Sequence, residues 1–478
     1  MASYLLPEFI SSLTKLDHFD REAFLRVHES GEQLVSVHMN SEKNILQKGD
    51  WPKNSDGPAF EISGNVPWAD DAYYLSNRPS FTLDPLFHAG GYYVQEASGM
   101  FLAFALKKIA DLSQKLKVLD LCAAPGGKST LIQSLISPES VLVSNEVIKT
   151  RVPVLTQNMT KWGRANSIVS NNDPAHFKEI PGFFDIMLID APCSGSGLYR
   201  KDPEAALTWS QDLVKLCSQR QQRILADAWD CLKEDGYLIY STCSYSNEEN
   251  EDILDHLFSQ YPCESIALSP DPAWNIVVTI SNRSGAFGYR FYPDKTSGEG
   301  FFLAVIQKKR MVDSENQDKH AGRYSNKRVH SNKLNEYPER IPRSAELQIK
   351  KWMKEGLLEY IPVGDSVHAL APGLANDFGL LKKSLYLKKA GIRVGKAGGQ
   401  DWIPDHELAL ANYLKKDSTT IEISYPDAIH YLRGEPFDVD IPLKGWHTVG
   451  YQGLDLGWVK LLESRMNNYY PKSWRIRQ

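Results

Sequence analysis

Between about Pro67 and Lys309 the chain alternates short β-rich apolar runs with amphipathic helical stretches, and this alternation sharply limits the folds open to it. The runs KVLDLCAA, VLVSNEV, SIVSN, FFDIMLIDAPC and YLIYSTCSY are separated by helical patterns, and GFFLAVIQKK closes the series. Strands of this kind separated by helices predict an α/β domain over residues 67–309, with a mostly parallel sheet covered on both faces. Ahead of it, residues 1–66 read as a small N-terminal α+β module containing EAFLRVH and EQLVSVHMN. The polar, proline-closed stretch at 310–343 predicts a linker. Beyond it come a basic α+β region at 344–420 and an end rich in short strands and aromatics at 421–478.

Composition narrows the function classes. A chain of 478 residues with 42% hydrophobic and 24% charged residues is neither fibrous nor disordered. The net charge of −5 argues against nonspecific coating of nucleic acid, but the charge is unevenly spread. From Lys309 onward there are 27 Lys and Arg against 21 Asp and Glu, and the earlier part is acidic. Lys382, Lys383, Lys388, Lys389, Arg393 and Lys396 form an acid-free cationic cluster that can neutralise backbone phosphates. The six cysteines follow no secreted framework and include no CxxC pair, so free thiols, a reducing compartment and no zinc site are expected. With neither a signal peptide nor an apolar run of membrane-spanning length, the expectation is a soluble, cytoplasmic protein without a metal.

The segment Val118 to Thr130 runs from an apolar strand through Cys122, Ala123, Ala124, Pro125, Gly126, Gly127 and Lys128 into a helix. Paired glycines let backbone approach a ligand, and the following helix N-terminus offers unpaired N–H groups. The spacing matches neither the P-loop nor GxGxxG. Glu146 ends the next strand twenty residues after Gly126, where doubly wound folds place a carboxylate on ribose hydroxyls. That pairing predicts an adenosine cofactor, with Asp173 after the third strand placed to meet the adenine.

Two further strands end in Asp190-Ala-Pro-Cys193 and in Thr242-Cys243, so both thiols should face the cofactor crevice. Paired thiols suit one chemistry well. The C5 carbon of a pyrimidine becomes nucleophilic only after a thiolate adds at C6, and a base must then remove the C5 proton before the thiol is eliminated. Asp190 is the candidate carboxylate for stabilising the adduct at N3. The residues alone leave open which thiol attacks.

At these positions the sequence closely resembles the RNA cytosine-C5 methyltransferases of the NOL1/NOP2/Sun family, in particular the bacterial branch acting on small-subunit ribosomal RNA. The resemblance lies in CAAPGGKS from Cys122, DAPCSGSGLYRKDP from Asp190, YSTCSYSNEENE from Tyr240 and RFYPDKTSGEGFFLAVIQK from Arg290, in the family's order. RPSFTLDPLFHAGGYYVQEASGM from Arg78 and the closing GWVKLLESRMNNYYPKSWRIR extend it. It implies a Rossmann-like methyltransferase domain, S-adenosylmethionine as donor held over Cys122 to Lys128 with Glu146, Asp173 and Asp190, and a PUA-like RNA-binding end. It assigns Cys243 as the nucleophile and Cys193 to resolution of the adduct. It further implies 16S ribosomal RNA as substrate, with Arg200 and Lys201 touching RNA phosphate or shaping the pocket; Lys382, Lys383, Lys388 and Lys389 of the cationic cluster are expected as further RNA contacts, and the protein is expected to be a monomer. The target cytosine would be unpaired or extruded, with the auxiliary modules gripping the surrounding RNA. The chain departs from the family at Pro293-Asp294, where relatives commonly have Pro-His, and at SVHMNSEK in the N-terminal strand. For Trp446, Tyr451, Tyr469, Tyr470 and Trp474, core packing is expected over base stacking.

Overall fold

Apolar side chains line both faces of the central strands, because successive residues of a strand point to opposite sides. Leu119, Met187 and Ile189 enter one buried cluster with Ile224 and Leu225 of the helix Gln211–Ala228. Val118, Ile186 and Leu188 enter another, against Leu131 and Ile132 of the helix Gly127–Leu135 and Leu102 and Leu106 of the helix Phe101–Ile109. Each such side chain contributes about 1.5–3 kcal/mol on full burial. The computed structural model describes residues 4–16, 18–43, 61–310, 341, 343–398, 401–415, 420–437, 444–463 and 465–477. Most of the expected linker at 310–343 lies outside them.

An antiparallel sheet of order β2-β3-β1-β4 comes first, from β1 (Val35–Met39), β2 (Ile62–Asn65), β3 (Ala72–Leu75) and β4 (Tyr92–Val94). The boundary expected at 66/67 therefore cuts through a sheet. These later strands are only three or four residues long, too short for a periodic pattern to show.

The central sheet contains β5 (Lys117–Asp120), β6 (Val141–Asn145), β7 (Ser167–Ser170), β8 (Phe184–Asp190), β9 (Leu232–Thr242), β10 (Cys263–Ser265), β11 (Val277–Ile280), β12 (Phe287–Phe291) and β13 (Phe301–Lys308). Strands β5 to β9 pair in parallel in the order β9-β8-β5-β6-β7. The chain moves outward from β5 through β6 to β7 and returns on the other side of β5 as β8. The β5/β8 gap is thus the point where strand order reverses, and ligands bind at such points beyond the carboxyl ends. β13 pairs antiparallel with β9 and continues the sheet to β12 and β11.

The C-terminal part supplies β14 (Glu359–Val363), β15 (Ser366–Leu370), β16 (Leu387–Ala390), β17 (Ile392–Gly398) and β18 (Asp401–Pro404), then β19 (Thr420–Glu422), β20 (Gly445–Tyr451), β21 (Leu454–Leu461) and β22 (Met466–Asn468). The basic region expected at 344–420 is not free-standing, because β16 pairs antiparallel with β7 as the edge of the central sheet. N- and C-terminal parts share a core in which Val37, Leu86 and Tyr92 join Ile421, Val449 and Tyr470. Lys43 ties the parts together, its Nζ donating to the carbonyls of Ala89 (2.5 Å), Lys161 (2.7 Å) and Leu410 (2.9 Å). Among the described residues no helix is long and apolar enough to cross a membrane.

Candidate active site

Strands β8 and β9 run parallel with Asp190 opposite Ser241, so the residues just past their ends, Cys193 and Cys243, emerge side by side. Their Sγ atoms are 3.2 Å apart. This contact, then burial, then the charges at Cys243 and Glu249 push the Cys193 thiol well above the usual range, so it holds its proton.

Backbone contacts fix the two loops. Gly197 N–H donates to the Cys243 carbonyl (2.8 Å), and Gly300 N–H donates to the Gly197 carbonyl (3.0 Å). A Cβ on Gly197 would fall 2.2 Å from the Gly300 oxygen, and one on Gly300 would fall 2.3 Å from the Tyr245 ring, so this approach requires glycine at both positions. Beneath the loops, the fully buried Glu249 accepts hydrogen bonds from Ser194 N–H (2.8 Å), Ser194 Oγ (2.5 Å), Ser244 Oγ (2.6 Å) and Gln221 Nε2 (3.2 Å). One carboxylate thereby holds the residue after each cysteine. Sequence reading missed Glu249, because an acid in NEENE reads as solvated surface.

Cys243 and Asp190 open onto a cavity of about 350 Å³ at the β5/β8 gap. Cys122, Ala123, Ala124, Pro125, Gly127 and Lys128 form one wall. Gly126 turns the loop behind it at φ +115°. Tyr93 of β4, Gln95 and Glu96 just beyond it, and Phe301 complete the enclosure. Nothing in the local sequence of β4 marks those residues as cavity-lining.

Charge inside the cavity is organised. Lys128 Nζ donates to Asp190 Oδ2 at 2.8 Å, and Ser241 Oγ donates to Asp190 Oδ1 at 2.8 Å. Burial alone would lower the Lys128 pKa, but the Asp190 charge and hydrogen bond outweigh it and the net direction is upward. Asp120, absent from the sequence-derived candidates, accepts from Ser129 Oγ at 2.6 Å, and its buried Oδ1 has no partner. Burial pushes its carboxyl up to about 7, with the Asp190 and Glu146 charges acting in the same direction and Ser129 opposing. Burial, reinforced by Asp120, also drives the Cys122 thiol far up.

Glu146 and Asp173 follow β6 and β7 at the same sheet edge but lie outside the cavity wall. Glu146 accepts from Ile148 N–H at 2.8 Å and sits 3.3 Å from Arg151, whose Nη2 donates to the Ala124 carbonyl at 2.5 Å. Arg151 thus staples the carboxylate to the glycine loop. Asp173 accepts from Ala175 N–H at 3.1 Å and lies 3.6 Å from Arg223.

The expected RNA-contacting cations divide. Lys201, Lys382, Lys383 and Lys388 are exposed, whereas Arg200 and Lys389 are buried, which corrects the expectation that both present a free charge to phosphate. Arg200 donates to the Glu32 carbonyl at 2.5 Å and lies 3.9 Å from buried Glu299. Lys389 is paired with Glu407 and donates to the Gly391 carbonyl at 2.6 Å. For the lysines the reason is a bulge in β16: Lys389 is in register with Val169 of β7, while Lys388 is the extra residue and stays exposed. Asp294 lies outside the catalytic cavity, 3.7 Å from Lys295. In the departing N-terminal segment, Asn40 Nδ2 donates to the Gly90 and Trp162 carbonyls, each at 3.0 Å. Of the C-terminal aromatics, Tyr451 and Tyr470 are buried, Trp446 and Trp474 half-buried and Tyr469 exposed.

Three family descriptions match the chain: 16S rRNA methyltransferase RsmB/F over residues 108–307, the N-terminal domain of 16S rRNA methyltransferase RsmF over 5–97, and the methyltransferase RsmF PUA domain over 418–476. The chain is 31% identical over 430 residues to ribosomal RNA small subunit methyltransferase F of Shewanella sediminis, covering 85% of this chain and 84% of that one. It is 29% identical over 453 residues to the protein of that name from Vibrio parahaemolyticus, covering 91% and 90%. Among solved structures, the crystal structure of PH0851 matches with TM-score 0.56 and 26% identity over 64% of this chain and 67% of that one. NSun6 from Pyrococcus horikoshii with SFG shares the fold at TM-score 0.50 and 16% identity, over 65% and 100%. With this site and these relatives, the chain belongs to the ribosomal RNA small subunit methyltransferase F family.

Proposed function

We propose that this protein transfers a methyl group from S-adenosylmethionine to C5 of a cytosine in 16S ribosomal RNA, acting as a cytoplasmic monomer. The observation that carries this reading is the 3.2 Å pairing of Cys193 with Cys243, the thiol of the two that lines the glycine-loop cavity.

The cavity suits the donor. The unpartnered Asp120 Oδ1 and the Asp190 carboxylate are acceptors for an ammonium, and Lys128 is a partner for a carboxylate. A Cβ on Gly127 would come within 3.0 Å of the Tyr93 ring, so its absence keeps the passage over the loop open. Glu146, held by Arg151, and Asp173 are assigned to the ribose and adenine ends. When bound, S-adenosylmethionine supplies an electrophilic methyl group.

The chain's own residues do the rest. The Cys243 thiolate adds to cytosine C6, and the π electrons of the C5–C6 bond make C5 nucleophilic. As the thiolate adds, N3 takes up a proton, and the Asp190 carboxylate, oriented by Lys128 and Ser241, accepts a hydrogen bond from that N3–H and stabilises the adduct. Once Cys243 is bonded to C6 it carries no charge and no longer holds the Cys193 proton in place; Cys193 releases that proton to solvent and, as thiolate, takes the C5 proton after C5 has gained the methyl. The C5 electron pair then restores the double bond and expels the Cys243 thiolate. Glu249 keeps the two sulfurs in register by holding Ser194 and Ser244. Exposed Lys201, Lys382, Lys383 and Lys388 are assigned to RNA phosphates. Transfer of labelled methyl to small-subunit RNA by wild type, lost in Cys243→Ala, tests the reading; full turnover by that variant contradicts it.

A further inference from the structure

A second hollow, of about 460 Å³, opens where β7 ends and β16 begins. It lies between the helix Val152–Trp162, these strand ends and Trp474 near the C-terminus. Its wall includes Lys149, Gln157, Asn171, Tyr386, Lys388 and Trp474, and among the described residues no Asp or Glu lines it. Tyr386 is 62% exposed although its backbone is fixed on both sides: its N–H donates to Asn172 Oδ1 and its carbonyl accepts from Asn171 N–H, each at 3.0 Å. Lys388 holds its ammonium 4.0 Å from the Tyr386 ring centroid. A rigid aromatic left in solvent beside a cation is a platform rather than a core element.

Cations, amides and aromatic rings without an acid suit a polyanion with flat apolar faces, which is single-stranded nucleic acid. The hollow also lies on the right edge of the sheet. β16 is antiparallel to β7, so Tyr386 stands at the carboxyl ends of the parallel strands, where the catalytic cavity opens. Five strand spacings from β9 to β16 place it about 24 Å along that edge from Cys243. Exposed Lys382 and Lys383, at the end of the helix Leu374–Ser384, extend the positive surface. We propose that this groove holds unpaired nucleotides flanking the target cytosine, with Tyr386 stacking on a base and Lys149 and Lys388 meeting backbone phosphates. The inference rests on the RNA substrate proposed above and adds a docking site outside the catalytic cavity.

The test is fluorescence anisotropy of the full chain with a labelled, uridine-rich single-stranded oligoribonucleotide at several salt concentrations. Tyr386→Ala should weaken binding about tenfold, while Tyr386→Phe, which keeps the ring, should stay within about twofold of wild type. Lys149→Gln with Lys388→Gln should reduce the slope of log K against log salt by about 1.4. Wild-type affinity in Tyr386→Ala would overturn the proposal. So would a change confined to the KM for S-adenosylmethionine, which would make the groove part of the donor site. Loss of binding to assembled subunits with free RNA binding intact would also overturn it, by pointing to a protein partner. Binding is read without turnover, so wild type that binds the oligonucleotide but transfers no methyl defeats the proposed reaction and leaves the groove standing. Normal methyl transfer alongside unaltered binding by Tyr386→Ala defeats the groove alone.

Discussion

The sulfurs of Cys193 and Cys243 stand 3.2 Å apart although 50 residues separate them in sequence. Parallel pairing of β8 with β9 brings their loops together, and a single buried carboxylate secures the arrangement. A nucleophile and a proton acceptor for the same pyrimidine ring need that proximity, because C5 and C6 are adjacent atoms.

Glu249→Ala should therefore impair turnover without touching substrate. It frees Ser194 and Ser244 together and leaves their hydroxyls and Gln221 short of an acceptor. A displacement of the order of 1 Å at reacting groups costs about 10²-fold in rate. Steady-state kinetics should show that loss in kcat, with KM values changed far less. Glu249→Gln, which can still bridge both serines, should recover much of it.

Gly197→Ala tests the loop contact from the opposite side. The new methyl meets the Gly300 oxygen at 2.2 Å and the Cys243 oxygen at 2.9 Å, so one loop must move. Overpacking of this kind costs about 1–3 kcal/mol, and thermal melts should show the loss together with reduced methyl transfer.

Lys389 distinguishes an internal cation from an RNA contact. Removing one partner of a buried ion pair costs about 3–5 kcal/mol, so Lys389→Ala should be strongly destabilised in urea, with RNA affinity of the folded fraction unchanged. A stable variant with weakened RNA binding would reverse the assignment.

Asp120 gives the pH dependence. Its carboxyl is raised from an ordinary 3.8 to about 7 in the folded chain, so folding favours the protonated form. The ligand-free protein should lose stability from this group as pH rises from about 4 to about 7, and Asp120→Asn should gain on wild type in melting temperature at pH 8 relative to pH 5. Affinity for S-adenosylmethionine should run the other way in wild type, weakening as pH falls below about 7 and the acceptor for the donor's ammonium is protonated. Calorimetric titration of wild type against Asp120→Asn checks this.

Much of the site was legible because strand periodicity sends Asp190, Cys193 and Cys243 to one end of a parallel sheet, and because paired glycines between strand and helix mark a ligand loop. Local pattern fails where burial depends on distant partners. Glu249 is held by serines that include one 55 residues away, and one oxygen of Asp120, Oδ1, is left without a partner. Lys388 and Lys389 look alike in the sequence, and only the pairing of β16 with β7, in register at Lys389 and bulged at Lys388, decides which of them is covered. The N-terminal boundary failed similarly, since β3 and β4 are defined by register with β1, and β2 by register with β3, rather than by their own few residues.

The most direct test of the account is mass spectrometry of Cys193→Ala after incubation with substrate RNA and S-adenosylmethionine, followed by nuclease and protease digestion. The expected product is a methylated cytosine nucleotide attached to the peptide carrying Cys243, stable to denaturation because no base is in place to remove the C5 proton. Normal release of methylated RNA without that adduct, or an adduct on a different residue, would contradict it.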